Sequence, residues 1–154
     1  MEVTPFSISK HLSELIGRHV AVAVNDSVEF DPQSRVACYE VLPMQGTAIV
    51  KLDFHLLASM GGMMIGFPDA EIKSQMQQGK LDENLTDAAG EVMNVLSAVI
   101  VSDGRAIFRG LHREAREFST RAGELLGGGF YPLKLSVTPT GFPRGCMSVV
   151  SDVL

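Results

Sequence analysis

Residues 81–101 read LDENLTDAAGEVMNVLSAVIV and have the periodicity of a single amphipathic helix. At about 100° per residue, one side of that helix is apolar. It carries Leu85, Ala88, Ala89, Val92, Leu96, Val99 and Ile100. Asp87, Glu91 and Asn94 fall on the opposite side, and their spacing stacks them on successive turns as a polar column. The small residues Gly90 and Ala98 lie beside this column and leave it open to a partner.

Sequence patterns on both sides of this helix predict the remaining elements. Helical spacing predicts helices over 7–17, 54–65 and 70–78. Alternating apolar residues predict strands over 19–24, 35–42, 46–54, 105–111, 130–138 and 146–150. Residues 43–46 are a predicted turn between antiparallel strands, whereas 112–126 is predicted as loop or a short exposed helix.

The order of these elements predicts an α+β fold with a mostly antiparallel sheet. The long helix and two or three further helices are expected to pack on that sheet. Ser7 or Ser9 is expected to cap the first helix, and Asp82 or Thr86 the long one. The adjacent glycines 61 and 62 interrupt the second helix, which indicates close packing or a bend. Helix followed by strands occurs twice along the chain, a loose echo that alone proves no repeat.

Composition indicates one globular domain, residues 1–154, with 45% hydrophobic and 20% charged residues. The net charge is −5 and no dense basic patch exists, so nucleic acid is not an expected partner. No apolar run has the length of a membrane span. The N-terminal residues lack the basic and apolar regions of a signal peptide. We therefore expect a cytoplasmic protein.

Common catalytic and metal-binding motifs are missing from the sequence. There is no serine-hydrolase elbow, phosphate-binding glycine loop or H-E-x-x-H segment, and the four histidines are scattered. Cys38 and Cys146 do not form a C-x-x-C pair, which argues against zinc. A disulfide between them is conceivable, but we expect free, buried thiols. The polar column remains as the candidate site, and the alternative is an ordinary solvated helix face.

The sequence DAAGEVMN, residues 87–94, matches the D/S-x-x-x-E-x-x-N signature of the CheC/CheX/FliY chemotaxis phosphatases, a family that the chain resembles. The Gly/Met-rich helix before it and the closing strands are also similar to that family. The single copy of the signature resembles CheX more than CheC, which usually has two. After the asparagine, Val95-Leu96-Ser97-Ala98 departs from the Met-Ile-Ala-Gly that is frequent in the family. Resemblance to CheX implies a homodimer joined through sheet edges.

The resemblance also implies a function. The substrate would be a phosphorylated CheY-type response regulator, which brings its own Mg²⁺ and a lysine, so that this chain binds no cofactor or metal. Asn94 would hold the attacking water, and Glu91 would pair with the regulator's lysine. Asp87 would shape the contact face or only stabilise the helix. Two alternatives remain: a non-catalytic adaptor that binds a receiver or a flagellar-switch protein, and a stand-alone α+β dimer without a receiver partner.

Overall fold

A computed structural model describes residues 3–153, and this part of the chain has the α+β architecture that the sequence predicts. Five α-helices lie at Pro5–Ile16, Phe54–Met64, Asp69–Gln78, Glu83–Leu96 and Thr120–Leu126, named α1 to α5. Six strands lie at Val20–Val24, Arg35–Leu42, Gly46–Leu52, Arg105–His112, Leu133–Pro139 and Gly145–Ser151, named β1 to β6. All the strand pairs are antiparallel, so the predicted fold class is confirmed.

The six strands form one sheet in the order β1-β5-β6-β3-β2-β4. The hairpins β2–β3 and β5–β6 lie in the middle and meet through β3 and β6. β1 pairs with β5 and β4 with β2, so each half of the chain places its first strand on the hairpin of the other half. The halves α1-β1-β2-β3 and α4-β4-β5-β6 therefore have the same topology, which gives the echo in the sequence a structural basis.

One face of the sheet packs against α1, α2 and α4 through a large apolar core. The predicted close packing at the paired glycines is confirmed. A Cβ atom on Gly61 would overlap the backbone carbonyl of Leu85 in α4, and one on Gly62 would overlap the side chain of Ile72 in α3. Glycine at these two positions therefore lets α2 lie directly against both neighbouring helices.

The opposite face of the sheet carries a second, smaller core. A short 3-10 helix at Ala115–Glu117 and helix α5 cover it, with Ala122 and Leu125 buried against Cys38, among other apolar side chains. Residues 112–126 were predicted to be loop or a short exposed helix. A short helix does form, but the prediction of exposure was wrong because the apolar side of α5 is buried against the sheet. Cys38 and Cys146 are free and buried, as predicted. Within residues 3–153, no helix is long and apolar enough to cross a membrane.

The first helix begins earlier than predicted. α1 begins at Pro5, and Thr4 caps it by accepting a hydrogen bond from the Ser7 amide at 3.0 Å. The Ser7 side chain in turn accepts a hydrogen bond from the Thr4 backbone amide, which completes a capping box. The predicted caps Ser7 and Ser9 were therefore wrong. Proline suits the first helical position because its missing N–H has no partner there anyway.

Candidate functional site

Helix α4 buries one side and exposes the other. Its buried residues are Leu85, Ala88, Ala89, Val92, Met93 and Leu96. Asp87, Glu91 and Asn94 are exposed on the outer side, as the spacing predicts, and Gly90 is partly exposed between them. The structure therefore brings the polar column together on one surface.

The helix is shorter than the sequence predicts, because it ends at Leu96. Val99 and Ile100 are buried but lie in the turn beyond the helix, and Ala98 is exposed in that same turn. The Ser97 amide donates to the Asn94 carbonyl, which tightens the chain into a turn. Ala98 therefore flanks the end of the polar column rather than its side.

The side chains of the polar column are not engaged by any residue that the structure describes. Over residues 3–153, no hydrogen bond or ion pair engages the side chains of Asp87, Glu91 or Asn94. With a rise of about 1.5 Å per residue, Glu91 and Asn94 are separated by about 4.5 Å along the helix axis, and Asp87 and Asn94 by about 10 Å. Glu91 and Asn94 can therefore act on one small group, whereas Asp87 reaches a different part of a partner.

Two side chains from other elements hold the last turn of α4, which carries Asn94. The hydroxyl of the fully buried Tyr39 in β2 donates to the Met93 carbonyl at 2.7 Å. Burial raises the pKa of Tyr39, so it remains a hydrogen-bond donor. Nε2 of His11 in α1 lies 2.9 Å from the Val95 carbonyl. Carbonyls at a helix end lack intrahelical partners, so these two contacts satisfy groups on either side of Asn94.

The start of α4 is held as firmly as its end. Asp82 is the N-cap and accepts a hydrogen bond from the Asn84 amide at 2.7 Å. The Asp82 amide in turn donates to the Gln75 side chain at 3.0 Å. Of the two predicted caps, Asp82 is the one that the structure uses. The candidate site is thus built on a helix whose position is fixed along its length.

A groove of about 480 Å³ runs beside the polar column, between α4 and the edge strand β4. Its lining residues are Thr86, Asp87, Gly90, Glu91, Phe108 and Leu111. Phe108 and Leu111 are apolar and only partly buried, and they form the β4 wall of the groove. Sequence reasoning missed both, because strand alternation indicates that a residue is apolar but not which helix lies opposite.

Between residues 3 and 153, no group of three or more His, Cys, Asp or Glu side chains is arranged to hold a metal ion. The expectation that this chain binds no metal or cofactor itself stays a prediction.

No family model matches the chain, and no curated protein matches it. Solved structures do match. FliY of Thermotoga maritima is 18% identical with a TM-score of 0.63, over 94% of this chain and 81% of that one. CheX of Vibrio vulnificus is 14% identical with a TM-score of 0.55, over 96% and 94%. The FliM middle domain of H. pylori is 15% identical with a TM-score of 0.56, over 95% and 83%.

These likenesses span nearly the whole chain at low identity, so they show a shared fold. The chain has the fold of the CheC/CheX/FliY family, and the resemblance that the sequence predicts is confirmed at that level. The role of the polar column stays a prediction.

Proposed function

We propose that this protein is a cytoplasmic phosphatase that removes the phosphoryl group from the phosphoaspartate of a CheY-type response regulator. One observation carries the proposal: Glu91 and Asn94 are exposed, one helical turn apart and without side-chain partners among residues 3–153. The helix that presents them is held at both ends, so the two groups are positioned before a partner arrives. Positioning of this kind is most of what phosphoryl transfer requires from a protein.

Asn94 is the catalytic residue of the proposal. Its amide oxygen accepts a hydrogen bond from a water molecule and holds that water in line with the phosphorus atom. The water oxygen attacks phosphorus while the bond from phosphorus to the aspartyl oxygen breaks, which releases phosphate and restores the regulator's carboxylate. An amide suits this role because it donates and accepts hydrogen bonds without a charge that would repel the phosphoryl group.

Glu91 orients the complex rather than reacting. Its carboxylate lies one turn from Asn94 and pairs with a lysine of the receiver, which fixes the approach of the phosphorylated pocket. The receiver, not this chain, supplies Mg²⁺, which neutralises charge on the phosphoryl oxygens. Gly90 and Ala98 are the small residues that let the partner surface come close.

The test is to phosphorylate the receivers of the same genome and follow the decay of the acyl phosphate in each. A small amount of this protein, about one molecule per 50 receivers, is added to half of each sample. We expect at least one receiver to lose its phosphate about tenfold faster or more, with many turnovers per phosphatase molecule. Decay that is unchanged for every receiver contradicts the proposal.

The second candidate is a non-catalytic adaptor of the same fold. The FliM middle domain of H. pylori shares this fold, and FliM of H. pylori forms a complex with FliG, so an adaptor for a flagellar-switch protein is a specific alternative. Both candidates use the same exposed surface and differ in turnover. Binding to a receiver or a switch protein without faster phosphate decay supports the adaptor.

We further propose that two copies of the chain pair through strand β1. β1 lies at one edge of the sheet, and its exposed residues are Ala21, Ala23 and Val24. It contains no charge, proline or bulge, which are the features that normally protect an edge strand. The other edge, β4, is protected because it carries Arg105 and Arg109 and pairs with β2 through a register shift.

A further inference from the structure

Asp87 cannot contact the phosphoryl group together with Asn94, so a different role has to be found for it. The two residues are about 10 Å apart along the helix axis, further than one phosphoryl group extends. Asp87 lies four residues before Glu91, and like charges at that spacing destabilise a helix. The chain therefore keeps two mutually repelling carboxylates side by side on one exposed face.

The part of the chain that the structure describes supplies no cation to these carboxylates. Over residues 3–153, neither Asp87 nor Glu91 forms an ion pair. The nearest strand, β4, carries two arginines. Arg105 pairs with Leu42 at the opposite end of the strand from Leu111. The Arg109 guanidinium binds Glu40 of β2 at 3.1 Å. The negative charge along the groove is therefore left for a partner to neutralise.

The groove beside Asp87 has the volume and the apolar wall that a long basic side chain needs. The Phe108 ring packs against Tyr39 with 5.5 Å between ring centroids, so this wall is held in place. On the opposite wall, Gly90 has no side chain, and the space beside it is open because a Cβ atom there would meet nothing within 4 Å. Lysine and arginine place their methylene stems on apolar surface while the charged end stays among polar groups.

We propose that this groove selects the receiver by binding one lysine or arginine side chain, whose charge pairs with Asp87 and whose stem lies on Phe108 and Leu111. This inference rests on the proposed function. Its charge would then lie about 10 Å along the α4 axis from Asn94, the residue that the proposed function places at the phosphoryl group. It is a second cation, distinct from the lysine that Glu91 pairs with at the phosphorylated pocket. Receivers without a basic residue at that distance are poor partners.

The test separates binding from chemistry by means of Asp87→Lys. Its control is Glu71→Lys, which makes the same charge change on the exposed side of α3. The probes are the receivers of the same genome, loaded with Mg²⁺ and beryllofluoride for affinity and phosphorylated for rate. For the receiver that the wild type dephosphorylates, we expect Asp87→Lys to weaken binding about tenfold or more and to reduce its salt dependence. The decay rate at saturation should change less than about twofold, because Asp87 does not reach the phosphate.

The possible results of this test separate the proposed groove from the proposed phosphatase activity. Loss of affinity in Asp87→Lys, with Glu71→Lys like the wild type, supports the groove. Equal affinity of Asp87→Lys and the wild type overturns the groove while the proposed phosphatase activity stands. A large loss of the saturated rate in Asp87→Lys also overturns it, because Asp87 would then act on the chemistry. Absence of binding and turnover with every receiver overturns the proposed function and the groove together.

Discussion

Asn94 lies where a better helix former would otherwise be expected. Asparagine costs a helix about 0.5 kcal/mol relative to alanine, and within residues 3–153 neither a cap nor a hydrogen bond of the Asn94 side chain offsets that cost. Exposure alone would also fit a solvated helix face. What distinguishes this residue is that its backbone is held from both sides, by Tyr39 and His11, while its side chain stays unengaged.

At the residue scale, burial also determines the protonation and reactivity of the two cysteines. Burial raises the pKa of the Cys38 thiol to about 12, and burial together with the Asp53 carboxylate raises that of Cys146. Raised pKa values keep both thiols protonated at neutral pH, and the thiolate is the reactive form.

We therefore predict that both thiols are inert in the folded protein. At pH 7.5, reaction of the native protein with Ellman's reagent should be at least about 100-fold slower than that of free cysteine. In denaturant without reductant, both cysteines should react. A fast thiol in the native protein contradicts the assigned burial, and fewer than two thiols in denaturant would indicate a disulfide.

At the element scale, the packing of α2 on α4 fixes the candidate site. We predict opposite effects for two glycine-to-alanine changes. Gly61→Ala should destabilise the protein by about 1–3 kcal/mol, because the new methyl group overlaps the Leu85 carbonyl. Gly90→Ala, which meets open space, should stabilise it by about 0.5–1 kcal/mol through helix propensity. Urea unfolding measures both, and equal effects would mean that α2 and α4 are not in close contact.

The hydrogen bond from Tyr39 joins the sheet to the last turn of α4. We predict that Tyr39→Phe lowers the free energy of unfolding by about 1–2 kcal/mol, because the buried Met93 carbonyl loses its donor. It should also slow receiver dephosphorylation several-fold, since Asn94 follows Met93 directly. Tyr131→Phe is the matched control, because the Tyr131 side chain is 99% exposed. If the two variants have the same stability and activity, the proposed link is absent.

The parts of the fold and of the candidate site that could be predicted from the sequence are those that depend on residues close together in the chain. Periodicity predicted the β2–β3 hairpin, the C-terminal end of α3 at Gly79 and the outward polar column, because each depends on neighbouring residues. The end of α4 was missed because the apolar periodicity continues through Val99 and Ile100, whose burial in the core depends on residues distant in sequence. The burial of α5 was missed for a similar reason, since it depends on apolar residues from three distant strands.

At the scale of the whole molecule, the first strand of each half, β1 or β4, lies on the hairpin of the other half and forms an edge of the sheet. The two edges differ in chemistry. β1 is short and uncharged, whereas β4 carries arginines and a register shift. The topology also places the polar column beside β4, away from the edge that is free to pair. Pairing through β1 would therefore leave both copies of the candidate site open.

We predict that the wild type sediments as a dimer at micromolar concentration. The double variant Ala21→Lys/Ala23→Lys should sediment as a monomer, because charges on an edge strand oppose strand pairing. Gln77→Lys/Gln78→Lys on α3 makes the same charge change and should stay dimeric. A monomeric wild type, or a dimeric Ala21→Lys/Ala23→Lys variant, contradicts pairing through β1.

The most direct measurement is the single-turnover decay of receiver acyl phosphate, at saturating protein, for the wild type and for Asn94→Ala. Alanine removes the amide but keeps the helix, so we predict unchanged folding, affinity within about threefold for the receiver loaded with beryllofluoride, and a decay rate reduced about 100-fold or more. Decay as fast with Asn94→Ala as with the wild type would contradict the catalytic role of Asn94 and with it the account of this site.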